Sequence, residues 1–415
     1  MAKSERLCHC SIPTLCLLLC YGASDLNGRS HSILRGVRAF SPLLQAYEAG
    51  HTIEEIKSGI IEALAPYFEN AAMLDRYGVD LLAVEAVNVA KIRNADWAGS
   101  LFDQCLRIRR QCLVNDPNDC AKTCASWEEA IGKALSLYWS AVRLEHEKAD
   151  LPLDEFAYEL FRNIGGLIEG TLQVYLKELL HLAQRSQGES VMFADIETLD
   201  LGATVRLVGE KAGIAPYLTL PPWNVPLNQW RNIAQHYSMD SSGSSIVCRY
   251  GARHQHSITL TRAELMEVAR DLFLLFSTIR TAQTLFALDH ADALVVHCKG
   301  FVRKEADMQF QFAVGAASHG FEVVELDVSE DYARAVLADV TAQDPDVRAI
   351  HASQFVYPLW IATRSQRLII DYKAKSGNVT LRATAKAEDC RKVYDYTEDF
   401  AYLAKVVCFE LNPAT

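Results

Sequence analysis

From about Ser32 to Asp150 the apolar residues recur three and four apart, as in Ile53, Ile56, Ile60, Ile61 and Leu64, which predicts helix throughout. Breaks fall near Gly50 and at Asn115-Asp116-Pro117-Asn118. A boundary follows at Lys148 to Pro152, after which Phe156, Leu160, Ile164, Leu167, Leu172 and Leu176 mark a long amphipathic helix ending near Gln187-Gly188. Leu201-Gly202 opens a further helix that stops at Gly213, and Pro221 to Pro226 must be irregular because closely spaced prolines cannot continue a ladder. The next helix begins just beyond, with Asn224 or a near neighbour placed to cap it. Ser245 to Tyr250 and His256 to Leu260 read as a hairpin. Thr261 and Glu264 then form a capping box ahead of a helix over Leu265 to Phe286.

After Asp289 the pattern alternates between types. Strand is predicted over Ala293 to His297, helix over Glu305 to Ser318, strand over Phe321 to Val328 and helix over Tyr332 to Val340. Strands at Leu368 to Tyr372 and Val379 to Ala383 precede a closing helix near Phe400 to Phe409. The predicted fold is therefore mixed: helical N-terminal and central regions followed by a C-terminal α/β domain. The divisions are a tail over 1–30, a helical domain over 31–150, a helical bundle over 151–287 and an α/β domain over 288–415. That last domain carries no GxGxxG, GxxxxGK[ST] or GxSxG, so a sensing or scaffold role suits it better than catalysis.

Half of the 415 residues are hydrophobic and 22% are charged, enough to bury a large core. A net charge of -11 excludes a generally cationic nucleic-acid binder, so any such site must be local. One stretch qualifies: residues 203–262 hold six Lys or Arg against two Asp or Glu.

The 12 cysteines do not follow the spacing of a secreted disulfide framework, which points to a reducing, cytoplasmic setting. Cys105, Cys112, Cys120 and Cys124 lack a CxxC knuckle and read as small buried hydrophobes rather than zinc ligands. Lys3 and Arg6 before Ile12 to Cys20 loosely imitate a secretory signal, but Pro13 interrupts the run and it is too short to span a bilayer. No membrane association, metal or cofactor is expected.

The candidate chemistry lies in Trp230-Arg231-Asn232-Ile233-Ala234-Gln235-His236-Tyr237. On a helical wheel Trp230, Ile233, Ala234 and Tyr237 form one stripe, while Arg231, Asn232, Gln235 and His236 occupy the opposite arc. Asn232 and His236 stand four apart, so Asn232 can orient the imidazole while Arg231 reaches over the same surface. Such a set suits RNA cleavage. The 2′-hydroxyl is an internal nucleophile, a histidine with an ordinary pKa near 6.5 moves its proton, and an arginine fork stabilises the pentacoordinate phosphate. No metal is needed, and the products carry a 2′,3′-cyclic phosphate and a 5′-hydroxyl.

Arg231-Asn232-x3-His236 resembles the R-x(4–6)-H signature of HEPN ribonucleases, in its Arg-polar-x3-His form. The long helix from Phe156, the Leu201-Gly202 helix entry and the run from Ile258 to Thr261 into a final helix are similar to HEPN domains of bacterial defence and toxin proteins. The resemblance covers residues 151–287. It implies a homodimer whose active cleft lies between two copies, Arg231, Asn232 and His236 as site residues, an RNA substrate and an activating or inhibiting partner. A non-catalytic HEPN-like dimerisation or ligand-binding module is the alternative expectation.

Other positions carry weaker signals. Arg249 also stands within the R-x(4–6)-H spacing of His254 and of His256, but in a strand and turn. Arg107, Arg109 and Arg110 read as a solvated helix face. Trp223 and Tyr217 could stack on bases, and Glu169 could assist in acid-base chemistry. His297 and His351, in or beside strands, need no function.

Overall fold

The structure, a computed structural model, describes residues 42–142, 151–298, 305–375 and 377–413. The expected tail over 1–30 lies outside the described residues. The chain is helical through its N-terminal and central regions and closes in an α/β domain, as its periodicities predict. Its compact units are drawn differently from the expected divisions: one is residues 88–299, the other joins residues up to 87 with those from 300 onward. The helices Asp96–Asn115 and Pro117–Val142 therefore group with the 151–287 bundle rather than with the segment before them.

Within residues 88–299 the long helix runs as Leu153–Leu167, a π-helical turn over Ile168–Leu172 and Gln173–Ser186. It buries Phe156, Leu160, Ile164, Leu167, Leu172 and Leu176, the residues its period selects. Against it pack the Asp96–Asn115 and Arg262–Asp289 helices, the latter started by the capping box of Thr261 and Glu264. Arg109 crosses this core: it is buried and its guanidinium donates to both Glu178 carboxylate oxygens, at 3.1 and 2.7 Å. The solvated arginine face expected there is thus corrected, since Arg109 points inward and Arg110 pairs with the buried Asp289 at 3.6 Å. The hairpin forms with Ser245 opposite Thr261 and Tyr250 opposite His256, and Met239–Ser242 adds a third antiparallel strand.

In the other unit a five-stranded sheet runs in the order Cys408–Leu411, Val379–Lys386, Arg367–Lys373, Tyr332–Asp339, Phe321–Val328. All neighbours are antiparallel except Tyr332–Asp339 with Arg367–Lys373. Its core gathers Phe312, Phe321, Leu337, Phe355, Leu359 and Ile370.

Three expectations fail here. Tyr332–Asp339 is a strand, not a helix: its alanines favour helix locally, but pairing on both sides buries Ala333, Ala335 and Leu337. Ala293 to His297 is helical, as Ala291–Leu294 and a 3₁₀ turn Val295–His297, and Val296 stays exposed with no sheet to receive it. The closing helix shrinks to Phe400–Tyr402 and Leu403–Val406 before the edge strand Cys408–Leu411. His297 and His351 accordingly sit in a 3₁₀ turn and in the Pro345–Ser353 helix, not beside strands. Among the described residues no helix is long and apolar enough to cross a membrane.

Candidate functional site

The site helix, Leu227–His236, buries Leu227, Trp230, Ile233 and Ala234. Arg231 and Asn232 lie half-buried at its flank, and Gln235 and His236 face solvent. Its start is not capped by Asn224. Pro226 takes the N-cap position, while Asn224 adopts φ 54° and its Nδ2 donates to the Pro222 carbonyl at 3.1 Å. Its end also departs from the wheel. Tyr237 leaves the helix in the left-handed region, φ 49° and ψ 39°, and is exposed rather than part of the core stripe.

The partner of this helix is the long helix from Leu153. A Cβ at Gly165 would meet the Ala234 Cβ at 3.1 Å, so the absence of a side chain is what allows the two backbones to approach. One turn further, the π-helical segment carries Glu169. π-Bulges shift the side chains that follow them and are frequent at functional sites. Here the Glu169 carboxylate bridges two positions of the site helix: Oε1 lies 3.4 Å from Arg231 Nη2, and Oε2 accepts from Gln235 Nε2 at 2.9 Å.

Arg231 is therefore oriented from two sides. Its Nη1 donates to Asn232 Oδ1 at 3.3 Å, and its Nε is buried without a partner. Asn232 thus holds the arginine rather than the imidazole. His236, one residue past Gln235, makes no hydrogen bond or ion pair among the described residues and presents its ring to solvent. The arrangement offers a preset guanidinium and an accessible imidazole on adjacent turns of one helix. Together these can hold a phosphodiester and exchange a proton with it.

The structure brings together Arg231, Asn232 and Glu169, with His236 on the same helix. Gln235 as a Glu169 partner was not singled out by spacing, and neither was the tyrosine pair beside the helix end, Tyr158 and Tyr237, whose rings stack at 5.3 Å with 9° between planes. The sequence signal for the first is Gln235 four residues from Arg231. The second depends on two helices meeting, which no local pattern reports.

The remaining candidates go elsewhere. Arg249 lies in the Ser245–Tyr250 strand paired with Asp240, His254 is in a 3₁₀ turn and His256 stacks on Tyr250. Trp223 packs edge-on against Trp230 at 6.5 Å. Cys105, Cys112 and Cys120 are buried, and the neighbouring Cys112 and Cys124 thiols together with burial push the Cys120 thiol above its usual range. Among the described residues no group of His, Cys, Asp or Glu is arranged to hold a metal ion.

A second polar cluster lies in the sheet-containing unit. Arg348, buried over the Phe321 ring, donates from Nε to both Asp339 oxygens, from Nη2 to the His319 carbonyl at 2.7 Å, and lies 3.0 Å from His351 Nδ1 through Nη1. Burial, with His319, Arg348 and Lys57 adding repulsion, drives the His351 imidazole down to about 4. It is therefore neutral at pH 7, and its surroundings are those of a packed interior.

The chain matches no protein-family model, no curated protein and no solved structure.

Proposed function

We propose that this chain is a metal-independent RNA endonuclease of the HEPN type. The observation that supports this reading is the preset Arg231, held by Asn232 and Glu169, one and a half turns from a solvent-facing His236. In the proposed reaction His236 takes the 2′-hydroxyl proton, or supplies one to the leaving 5′-oxygen, and water serves the other transfer. The 2′-oxygen attacks phosphorus, the P–O5′ bond breaks, and Arg231 stabilises the charge on the pentacoordinate phosphate. Asn232 positions Arg231. The resemblance to HEPN proteins adds a homodimer with the two site helices facing one cleft, and a regulated toxin or antiphage effector in the cytoplasm.

One observation favours the second reading, a non-catalytic dimerisation or ligand-binding module: the Glu169 carboxylate occupies the guanidinium that a phosphate would need. Under the nuclease reading, phosphate displaces Glu169 from Arg231, and the freed carboxylate remains tied to Gln235.

The test is incubation of end-labelled RNA with the purified full chain in EDTA, followed by end-group analysis. Fragments with 2′,3′-cyclic phosphate and 5′-hydroxyl ends are expected. Products with 5′-phosphate ends, or cleavage that depends on added divalent metal, would overturn the mechanism.

A further inference from the structure

The end of the site helix is built from an unusual residue for its backbone. Tyr237 sits at φ 49° and ψ 39°, and the following Ser238 N–H bonds back to the Ile233 carbonyl at 3.1 Å, closing a Schellman-type terminus. Glycine, or sometimes asparagine, is the usual occupant because a Cβ is strained there. Tyrosine gains nothing from burial in exchange: it is 54% exposed. What it does gain is Tyr158, itself 43% exposed, on the facing Leu153–Leu167 helix. The two rings lie nearly parallel with centroids 5.3 Å apart. Each tyrosine thus fixes the other's ring while leaving aromatic surface open to solvent.

The position of the pair relative to the chemistry follows from the helix. Tyr237 is adjacent to His236 in sequence and six residues from Arg231, a rise of about 9 Å along the axis. The facing helix runs antiparallel, with Glu169 at the Arg231 level, Gly165 at Ala234 and Tyr158 at Tyr237. A strand held at one phosphate by Arg231 and running along the two helices toward His236 would pass a neighbouring base over the tyrosine pair.

Resting on the nuclease reading above, we infer that Tyr158 and Tyr237 form a stacking platform for an unpaired RNA base next to the scissile phosphate. Tyr237 acts as a positioning residue rather than a catalytic one. Stacking accepts any base because every base has a π-face, and it requires that the base be out of a duplex. The platform thus makes single-stranded segments and loops the substrate class, without fixing a sequence.

The test uses the full chain and three variants, Tyr237→Gly, Tyr237→Phe and Tyr158→Ala. Tyr237→Gly relieves the left-handed backbone, so it should fold at least as well as the parent while losing the platform. The expected result is a roughly tenfold rise in KM for single-stranded RNA with kcat unchanged. Tyr237→Phe should restore the parental KM. An oligonucleotide carrying 2-aminopurine beside the cleavage point should be quenched on binding to the parent and not to Tyr237→Gly. An unchanged KM in Tyr237→Gly and Tyr158→Ala overturns the inference, as does a loss of dimer mass in either, which would assign the pair to contact between copies. If the parent cuts no RNA, the nuclease reading has failed. The platform is then judged alone by 2-aminopurine quenching in His236→Ala with and without Tyr237→Gly: quenching that vanishes with the glycine sustains it, and equal signals overturn it.

Discussion

At the scale of single residues, two histidines show how environment sets role. His236 faces solvent on the site helix, where its ring is open to a bound molecule. His351 is enclosed, with His319, Arg348 and Lys57 around it and only Asp339 in opposition, and only its neutral form is accommodated. The consequence for stability has a definite sign. The unfolded chain protonates this histidine near pH 6.5, the folded chain only at about 4. Its contribution is complete above about pH 6.5 and is lost progressively as the pH falls toward 4. With partial solvent screening, about 1–2 kcal/mol is at stake. Thermal melts between pH 4.5 and 7 should show that slope, and His351→Phe should flatten it; an identical slope in both proteins would contradict the assignment. The placement of Arg231, Asn232 and His236 on one helix was legible from spacing alone, because an i, i+4 polar pair opposite an apolar stripe is a local property. The role of Asn232 was not. Spacing gives it two possible partners, and only the side-chain geometry places it on Arg231.

At the scale of elements, the site depends on how closely two helices approach. Gly165 is the contact point, with a Cβ position 3.1 Å from Ala234. Gly165→Leu should force the site helix away from the long helix, costing about 1–3 kcal/mol. Because the site helix then shifts away from the long helix that positions it, turnover under the nuclease reading should fall further than thermal stability alone explains. Comparing activity and melting temperature of Gly165→Ala and Gly165→Leu checks this: activity that tracks stability in both would refute a positioning role for the approach. Helices whose apolar period was unbroken were legible, and so was the hairpin after Asp240. The Tyr332–Asp339 strand was not, because its burial comes from pairing on both sides, and the partner Arg367–Lys373 is far away in sequence. The π-helical turn at Ile168–Leu172 has no sequence sign either, yet it carries Glu169.

At the scale of the whole molecule, the helices of residues 88–299 are tied by a pair that hydropathy would place on the surface. Arg109 and Glu178 are both buried and joined by two hydrogen bonds. Removing one partner leaves the other charged and unpaired, so Glu178→Gln should cost about 3–5 kcal/mol. A urea titration that shows a shift below 1 kcal/mol would mean that water reaches Arg109. Under the nuclease reading proposed above, the acidic balance of the chain, -11 overall, leaves the locally basic 203–262 segment as the place where RNA would meet it. The account stands or falls on that encounter. Its most direct test compares the parent chain with Arg231→Ala and His236→Ala on one labelled RNA in EDTA, with each protein's fold confirmed by its melting curve. Loss of a general acid-base group lowers rate by about 10² to 10⁴. The account predicts cyclic-phosphate products from the parent and a loss of that order in both variants, whereas equal cleavage by all three proteins would contradict it.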